Sequence, residues 1–190
     1  MGHIHILGIS GSLRNASYNT ATLHAAQSLL PDDMTMDIYV PDDLPLYNND
    51  VEKQGFPQSV QRFHQRITAA NAILFATPEY NYSIPGVLKN AIDWASRPPH
   101  ESPLQDKPAA IMGATPGGYG TVRAQLHLRD ILLHEDMPTV TKTKVLITFA
   151  GDRFDDDLNL IDADSRGFIR DLLVELRDLV ALHRGEHTAI

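Results

Sequence analysis

The sequence predicts an α/β protein whose five-stranded parallel sheet is covered by helices on both faces. Short apolar runs typical of buried strands alternate with longer segments in which apolar residues recur at helical spacing. This alternation is typical of parallel sheets, because parallel strands need a crossover connection between them. The length of 190 residues is sufficient for one well-buried domain and short for two. We therefore expect residues 1–190 to form a single domain.

The first part of the chain is predicted to contain three strands and three helices. Apolar runs predict strands at residues 3–9, 34–40 and 72–77. Helices are expected over residues 19–30, over residues 56–71, and from the Pro85 region to near residue 96. Pro31 ends the first of these helices, whereas Ser83 and Pro85 are residue types that begin the third. Residues 41–55 are rich in Asp, Asn and Pro and are predicted to be a loop.

The second part of the chain continues the same alternation. Strands are expected at residues 108–114 and within residues 138–149, with a helix ending near residue 134 between them. A Pro-rich loop is expected over residues 97–107. The last helix is predicted to be capped by Asp162 or Asp164 and to carry an apolar stripe that extends to Val180.

Composition and charge narrow the classes of function. The net charge of −8 argues against a nucleic-acid or anionic-membrane partner, since both need concentrated positive charge. No run of apolar residues is long enough to span a bilayer, and no signal-peptide pattern is present. The sequence contains no Cys, so redox chemistry would need a bound cofactor. We expect a cytoplasmic protein without a metal site.

The loop after the first strand has the residues of a phosphate cradle. A Gly/Ser-rich turn that leads into a helix offers backbone N–H groups and the positive end of the helix dipole. Arg14 adds a fixed positive charge, and further donors come from Ser10, Ser12, Ser17 and Asn19. The Walker, dinucleotide-binding and nucleophile-elbow patterns are all absent. A compact phosphomonoester is the ligand these residues favour, and a simply capped helix start is the alternative.

Two further loops follow the third and fourth strands. Residues 78–83 (PEYNYS) carry two aromatics, an amide and a carboxylate, which suits a planar ring that is stacked and hydrogen-bonded at its edge. Residues 115–120 (TPGGYG) could let backbone approach such a ring, or could be ordinary turn glycines. Ligands of open parallel sheets bind at the carboxyl ends of the strands, where the strand order reverses. We therefore expect all three loops to meet over one site.

The motifs together resemble those of the NADPH-dependent FMN reductase family. The resemblance rests on residues 11–19 (GSLRNASYN), residues 78–83, Pro85 with Gly86, and residues 88–94 (LKNAIDW), and it extends over nearly the whole chain. Within that family, the soluble quinone, chromate and azo-dye reductases look most similar. The resemblance implies a flavodoxin-like three-layer sandwich, bound FMN, and NADPH or NADH as the reductant. With the loops above, it gives these predicted FMN-binding residues: Ser10, Ser12, Leu13, Arg14, Ser17, Tyr18, Asn19, Pro78, Glu79, Tyr80, Asn81, Tyr82, Thr115, Gly117 and Gly118.

The expected activity is a ping-pong transfer of hydride from NAD(P)H through FMN to a second substrate. That substrate could be a quinone, an azo compound, a metal oxyanion or free flavin, and no side chain is expected to be catalytic. An FMN electron carrier of the flavodoxin type is the alternative, and a flavin-free module is a weaker one.

The resemblance also implies a homodimer or homotetramer. Trp94 is expected on a helix face outside the core, and the helix after Gly120 has more apolar surface than one buried stripe requires. Arg123, Gln125, Leu126 and Leu128 are therefore predicted near a subunit contact. Packing of Trp94 under the loop at Pro98 and Pro99 is the alternative.

Overall fold

A computed structural model of the protein describes residues 2–185. It contains five strands: β1 (Ile4–Ser10), β2 (Met34–Tyr39), β3 (Ala72–Ala76), β4 (Ala109–Ala114) and β5 (Val145–Ile147). The α-helices are α1 (Tyr18–Gln27), α2 (Asn49–Glu52), α3 (Gln58–Ala69), α4 (Gly86–Ala95), α5 (Val122–His134) and α6 (Ala163–His183). A short 3₁₀ turn, Ala150–Asp152, follows β5.

The strands form one parallel sheet in the order β2-β1-β3-β4-β5. Each face of the sheet carries its own hydrophobic core. Leu23 of α1 and Leu172 of α6 lie in the first core, whereas Phe63 of α3, Leu88 of α4 and Leu128 of α5 lie in the second. The three-layer flavodoxin-like architecture predicted from the sequence is confirmed. No helix among the described residues is both long enough and apolar enough to cross a membrane.

Trp94 lies in a different place from the one expected. Its side chain is fully buried, so the prediction that it lies outside the core is wrong. The indole Nε1 donates a hydrogen bond to the Pro45 carbonyl at 2.8 Å, and the ring packs edge-on against Tyr47 and Phe56. Pro45 and Tyr47 belong to residues 41–55, which were predicted to be only a loop. The same segment also contains α2.

The last helix begins as one of the two expected caps predicts. Asp162 Oδ2 accepts hydrogen bonds from the backbone N–H and the hydroxyl of Ser165 at 2.9 and 2.6 Å. Arg153 forms an ion pair with the same carboxylate. Asp162 is therefore the N-cap of α6, and Asp164 lies in the first turn.

Candidate functional site

The three predicted ligand loops lie side by side, because β1, β3 and β4 are neighbours in the sheet. The first two loops touch directly at Gly11, whose N–H donates to the Ala76 carbonyl at 2.8 Å. A Cβ atom on Gly11 would lie 3.2 Å from both that carbonyl oxygen and the Cδ of Pro78. Any other residue here would therefore push the two loops apart. Further hydrogen bonds link the ends of the neighbouring strands. The backbone N–H of Thr77 donates to the Met112 carbonyl, and that of Thr115 donates to the Ile147 carbonyl, at 3.0 Å each.

The start of α1 presents unpaired N–H groups. Ser17 is the N-cap, and its hydroxyl accepts from the N–H of Thr20 at 3.3 Å. The N–H groups of Tyr18 and Asn19 make no hydrogen bond to any group in residues 2–185. Arg14 is exposed and forms no ion pair with the rest of the described chain. A free cation beside unpaired N–H groups at a helix start is an arrangement that binds a phosphate group.

Several side chains predicted to bind the phosphate are instead engaged inside the protein. Ser10 Oγ lies 2.8 Å from Thr20 Oγ1, and Ser12 Oγ accepts from the N–H of Arg14 at 3.3 Å. Both serines are buried, and they shape the loop from within. The sequence shows which residues can donate, but it does not show that their partners lie inside the same loop.

Asn19 differs most from its predicted role. Its buried side-chain amide donates to the Ala114 carbonyl and accepts from the Ala114 N–H, both at 2.9 Å. The side chain thus joins α1 to the end of β4, and the backbone N–H of Asn19 remains without a partner in residues 2–185. The partner lies 95 residues away in the sequence, which is why the motif alone did not reveal the contact.

Residues 80–83 form a tight two-residue turn. Tyr80 and Ser83 exchange backbone hydrogen bonds at 2.9 and 3.0 Å. Asn81 and Tyr82 between them both have left-handed backbones, with φ of 51° and 67°. This is the geometry of a type I′ turn. It leaves the N–H groups of both residues and the Asn81 amide without partners in residues 2–185, and the side chains of both tyrosines are exposed.

The side chain of Glu79 is engaged by residues at the start of α5. Its carboxylate, with 10% of the side chain exposed, accepts from Arg123 Nε at 2.6 Å. It also accepts from the backbone N–H groups of Arg123 and Ala124 at 3.0 and 3.3 Å. Because the N-cap residue Thr121 makes no side-chain cap bond, Glu79 supplies the capping acceptor for α5. The Glu79 carboxylate therefore joins the loop after β3 to the start of α5.

Arg123 contacts two neighbouring loops of its own chain. Its guanidinium carbon lies 3.7 Å from the ring centroid of Tyr82 and 4.6 Å from that of Tyr119. The ion pair with Glu79 and these two cation–π contacts join the loops after β3 and β4. Gln125 and Leu128 are buried in the same helix, so of the four predicted interface residues only Leu126 is largely exposed.

The loop after β4 is fixed by its neighbour after β5. The Gly117 N–H donates to Thr115 Oγ1 at 3.2 Å, and the Gly117 carbonyl accepts from the Phe149 N–H at 3.1 Å. A Cβ atom on Gly117 would meet only Thr115 Oγ1, at 3.7 Å, so this backbone is open to a ligand. Phe149 packs against Gly118 and was not among the predicted residues. Phe149 belongs to none of the sequence motifs. The strand before it, β5, has only three residues, which are too few to form a recognisable pattern.

The first two loops enclose a cleft of about 380 Å³. Leu13 and Tyr80, both about half exposed, stand on its two sides. The other residues of its wall are Gly11, Ser12, Arg14, Pro85, Gly86 and Val87. Of the remaining predicted residues, Tyr18 packs against Phe154, with 5.2 Å between ring centroids, and Pro78 accepts a hydrogen bond from the Thr77 hydroxyl.

A family model for NADPH-dependent FMN reductases matches residues 4–152, which is most of the chain. The chain belongs to this family. It is 51% identical over 182 residues to an NAD(P)H-dependent FMN reductase from Pseudomonas aeruginosa, covering 96% of this chain and 98% of that protein. It is 40% identical over 167 residues to a 2-hydroxy-1,4-benzoquinone reductase from a Burkholderia species, covering 88% of this chain and 91% of the relative.

A solved structure agrees with the sequence relatives. The flavoenzyme FerB from Paracoccus denitrificans, an NAD(P)H:(acceptor) oxidoreductase, superimposes with a TM-score of 0.87 at 33% identity. The match covers 95% of this chain and 98% of FerB. Membership of the family confirms the predicted oxidoreductase class, with FMN as cofactor and NAD(P)H as reductant.

The residues present fit FMN. A monophosphate needs hydrogen-bond donors and positive charge, which the N–H groups of Tyr18 and Asn19 and the side chain of Arg14 supply. A planar ring needs apolar faces and donors at its edge, which the turn at residues 80–83 and the open backbone at Gly117 offer. The two parts of the cradle lie on neighbouring strands.

Proposed function

We propose that this protein is an FMN-dependent NAD(P)H:quinone reductase whose cofactor lies across the loops after β1, β3 and β4. The observation that carries the proposal is the anion cradle at the start of α1 next to a turn with unpaired N–H groups and exposed aromatics. Relatives named as quinone reductases support a quinone as the acceptor. A quinone is a small planar ring, which matches the open, partly aromatic surface above the strand ends.

Each part of the site has its own task in this proposal. Arg14 and the N–H groups of Tyr18 and Asn19 hold the phosphate, and the buried serines keep that loop in shape. The N–H groups of Asn81, Tyr82 and the residues near Gly117 hydrogen-bond the edge of the ring. Held by these residues, FMN would supply the redox chemistry between NAD(P)H and the acceptor. The tyrosines and Leu13 shield the reacting face from water.

The spectrum of the purified protein tests the proposal. We expect a yellow protein that bleaches when NADPH is added without oxygen and regains its colour when a benzoquinone follows. Failure of NADPH to bleach a yellow protein would support the electron-carrier alternative. A colourless protein that cannot be reconstituted with FMN would contradict the proposal. Reoxidation by ferricyanide but not by the benzoquinone would retain the reductase and remove the quinone as acceptor.

The proposed enzyme is a homodimer or homotetramer in the cytoplasm, where NAD(P)H is available as reductant. Leu126 and Leu133 support the assembly, because they lie two turns apart on α5 and are 56% and 76% exposed. Residues seven apart share a helix face, so these two side chains form one apolar strip. Apolar strips of this kind favour a protein contact.

A further inference from the structure

Phe149 has a costly conformation and an exposed ring. It lies two residues after the end of β5, its backbone is left-handed with φ of 49°, and 54% of the residue is exposed. A bulky residue in this region of conformational space is a genuine outlier, and burial of the ring does not compensate for the cost. Strained residues of this kind concentrate at ligand sites.

The backbone at Phe149 is fixed to the loop after β4. Its N–H donates to the Gly117 carbonyl at 3.1 Å, and the next N–H, of Ala150, donates to the Thr115 carbonyl at 3.0 Å. The Phe149 carbonyl accepts from Asp152 at 2.9 Å within the 3₁₀ turn. The N–H groups of Phe149 and Ala150 thus hold the left-handed conformation against residues 115–117. This is the loop that we propose contacts the planar ring.

The ring of Phe149 lies against Gly118. A Cβ atom on Gly118 would come within 3.2 Å of the Phe149 Cζ, so the aromatic edge occupies the space that a side chain there would fill. The site thus gains an aromatic group from the loop after β5, on the side of β4 away from the phosphate cradle after β1. Tyr80 and Tyr82, in the loop after β3, lie on the opposite side of the loop after β4.

We propose that Phe149 contacts the planar conjugated ring bound at residues 115–118 and makes the site favour flat aromatic ligands. This inference rests on the proposed function. The ring supplied by the ligand is either that of the flavin or that of the second substrate, and both offer the same chemistry. Stacked or edge-to-face aromatic contacts favour such a ligand and give no advantage to a compact hydrated anion.

Three variants separate the aromatic face from the backbone conformation. Phe149→Asn removes the ring but keeps a residue that tolerates the left-handed backbone. Phe149→Tyr keeps an aromatic ring and should retain wild-type behaviour. Phe168→Ala is the matched control, because Phe168 is also 54% exposed but lies on α6.

The first measurement is the affinity of the apoprotein for FMN and for riboflavin, determined from the quenching of flavin fluorescence. The second is the KM for a naphthoquinone and for ferricyanide, with NADPH saturating. For Phe149→Asn we expect a change of about threefold to tenfold, the range of a lost aromatic contact. Equal losses for FMN and riboflavin assign the contact to the flavin. Unchanged flavin affinity with a raised KM for the naphthoquinone alone assigns it to the acceptor.

The inference is overturned if Phe149→Asn matches Phe168→Ala in flavin affinity and in both KM values. It is also overturned if Phe149→Tyr loses as much as Phe149→Asn, because the ring would then not be the important group. Failure of the wild-type protein to bind FMN or to oxidise NADPH would contradict the proposed function itself, and that result does not depend on any variant. Thermal unfolding of apo Phe149→Asn should show a melting temperature no lower than that of the wild type, because a strained residue has been relieved.

Discussion

Arg14 is the side chain whose charge the phosphate cradle depends on. It is exposed and has no ion-pair partner in the described chain, so its removal should leave the apoprotein nearly as stable as before. Charge-assisted hydrogen bonds contribute about 1.5–3 kcal/mol. We therefore expect Arg14→Ala to weaken FMN affinity by about one to two decades, measured by fluorescence titration. Arg170→Ala, an exposed change on α6, is the control, and unaltered FMN affinity in Arg14→Ala would remove Arg14 from the site.

Asn19 should behave in the opposite way, although it lies in the same motif. Its amide satisfies both backbone groups of Ala114, and Asn19→Ala leaves a buried donor and a buried acceptor unpaired. Each unpaired group costs about 1–3 kcal/mol, so we expect a clear loss of unfolding free energy in the apoprotein. Urea denaturation without FMN measures it. A fully stable apoprotein that has lost only FMN affinity would restore the phosphate-binding role predicted from the sequence.

At this scale the sequence identifies groups but not their partners. Glu79 and Asn19 were correctly identified as polar residues of the ligand loops, yet their partners Arg123 and Ala114 lie 44 and 95 residues away. Trp94 was misplaced for the same reason, since its cover at Pro45 and Tyr47 comes from a segment without regular periodicity. Long-range pairing follows from the packed fold, and no local pattern encodes it.

The α6 helix depends on one capping carboxylate, and that dependence should vary with pH. Hydrogen bonds from Ser165, with the charge of Arg153 adding to them, hold the pKa of Asp162 below its ordinary value. A lowered folded-state pKa means that the stabilisation is complete above the ordinary Asp value, about 4. It is lost as the pH falls through the folded-state pKa.

Asp162→Ala should therefore destabilise the protein by about 1 kcal/mol at neutral pH, the typical contribution of an N-cap. The difference from wild type should shrink as the pH falls below about 4, where the wild-type carboxylate also becomes neutral. Urea unfolding across that range is the measurement. Asp164→Ala is the control, because Asp164 lies in the first turn without capping α6. A difference that grows in acid would contradict this account.

The elements themselves were well predicted where they are long and buried. Each residue of β3 and β4 is buried. Apolar runs of this kind, bounded by loops that contain Gly and Pro, clearly indicate buried strands. The helix α2 has only four residues and no buried side chain, so it has no apolar stripe to detect. The strand β5 has three residues, too few for periodicity to set its limits within the range predicted for it.

For the whole molecule, topology did more than motif matching to locate the site. Parallel strands joined by helices place their carboxyl ends along one edge, and the order β2-β1-β3-β4-β5 reverses at β1 and β3. The loops after β1, β3 and β4 had to be neighbours on that basis. Phe149 remained unpredicted because it depends on how the loop after β5 folds back, which the topology does not specify.

The strip of Leu126 and Leu133 on α5 leads to a prediction about assembly. The sequence predicted Arg123 near a subunit contact, but Arg123 contacts Glu79, Tyr82 and Tyr119 within the chain, so charge reversal there is a poor test of assembly. Reversing its charge would disturb the ligand loops whether or not the protein assembles. The two leucines are a cleaner target, because both are more than half exposed.

We expect Leu126→Glu combined with Leu133→Glu to shift the protein towards monomer in sedimentation at micromolar concentration, since a carboxylate buried in an apolar contact is costly. Leu182→Glu, on α6 and 62% exposed, should leave the assembly intact. The unmodified protein should sediment above the monomer mass of 21.1 kDa. A wild-type monomer with full NADPH and quinone activity would contradict the assembly, whereas an oligomer that survives both leucine changes would place the contact away from α5. FMN affinity measured on the double variant then shows whether the site needs the assembly, because its loops would be unaltered in sequence.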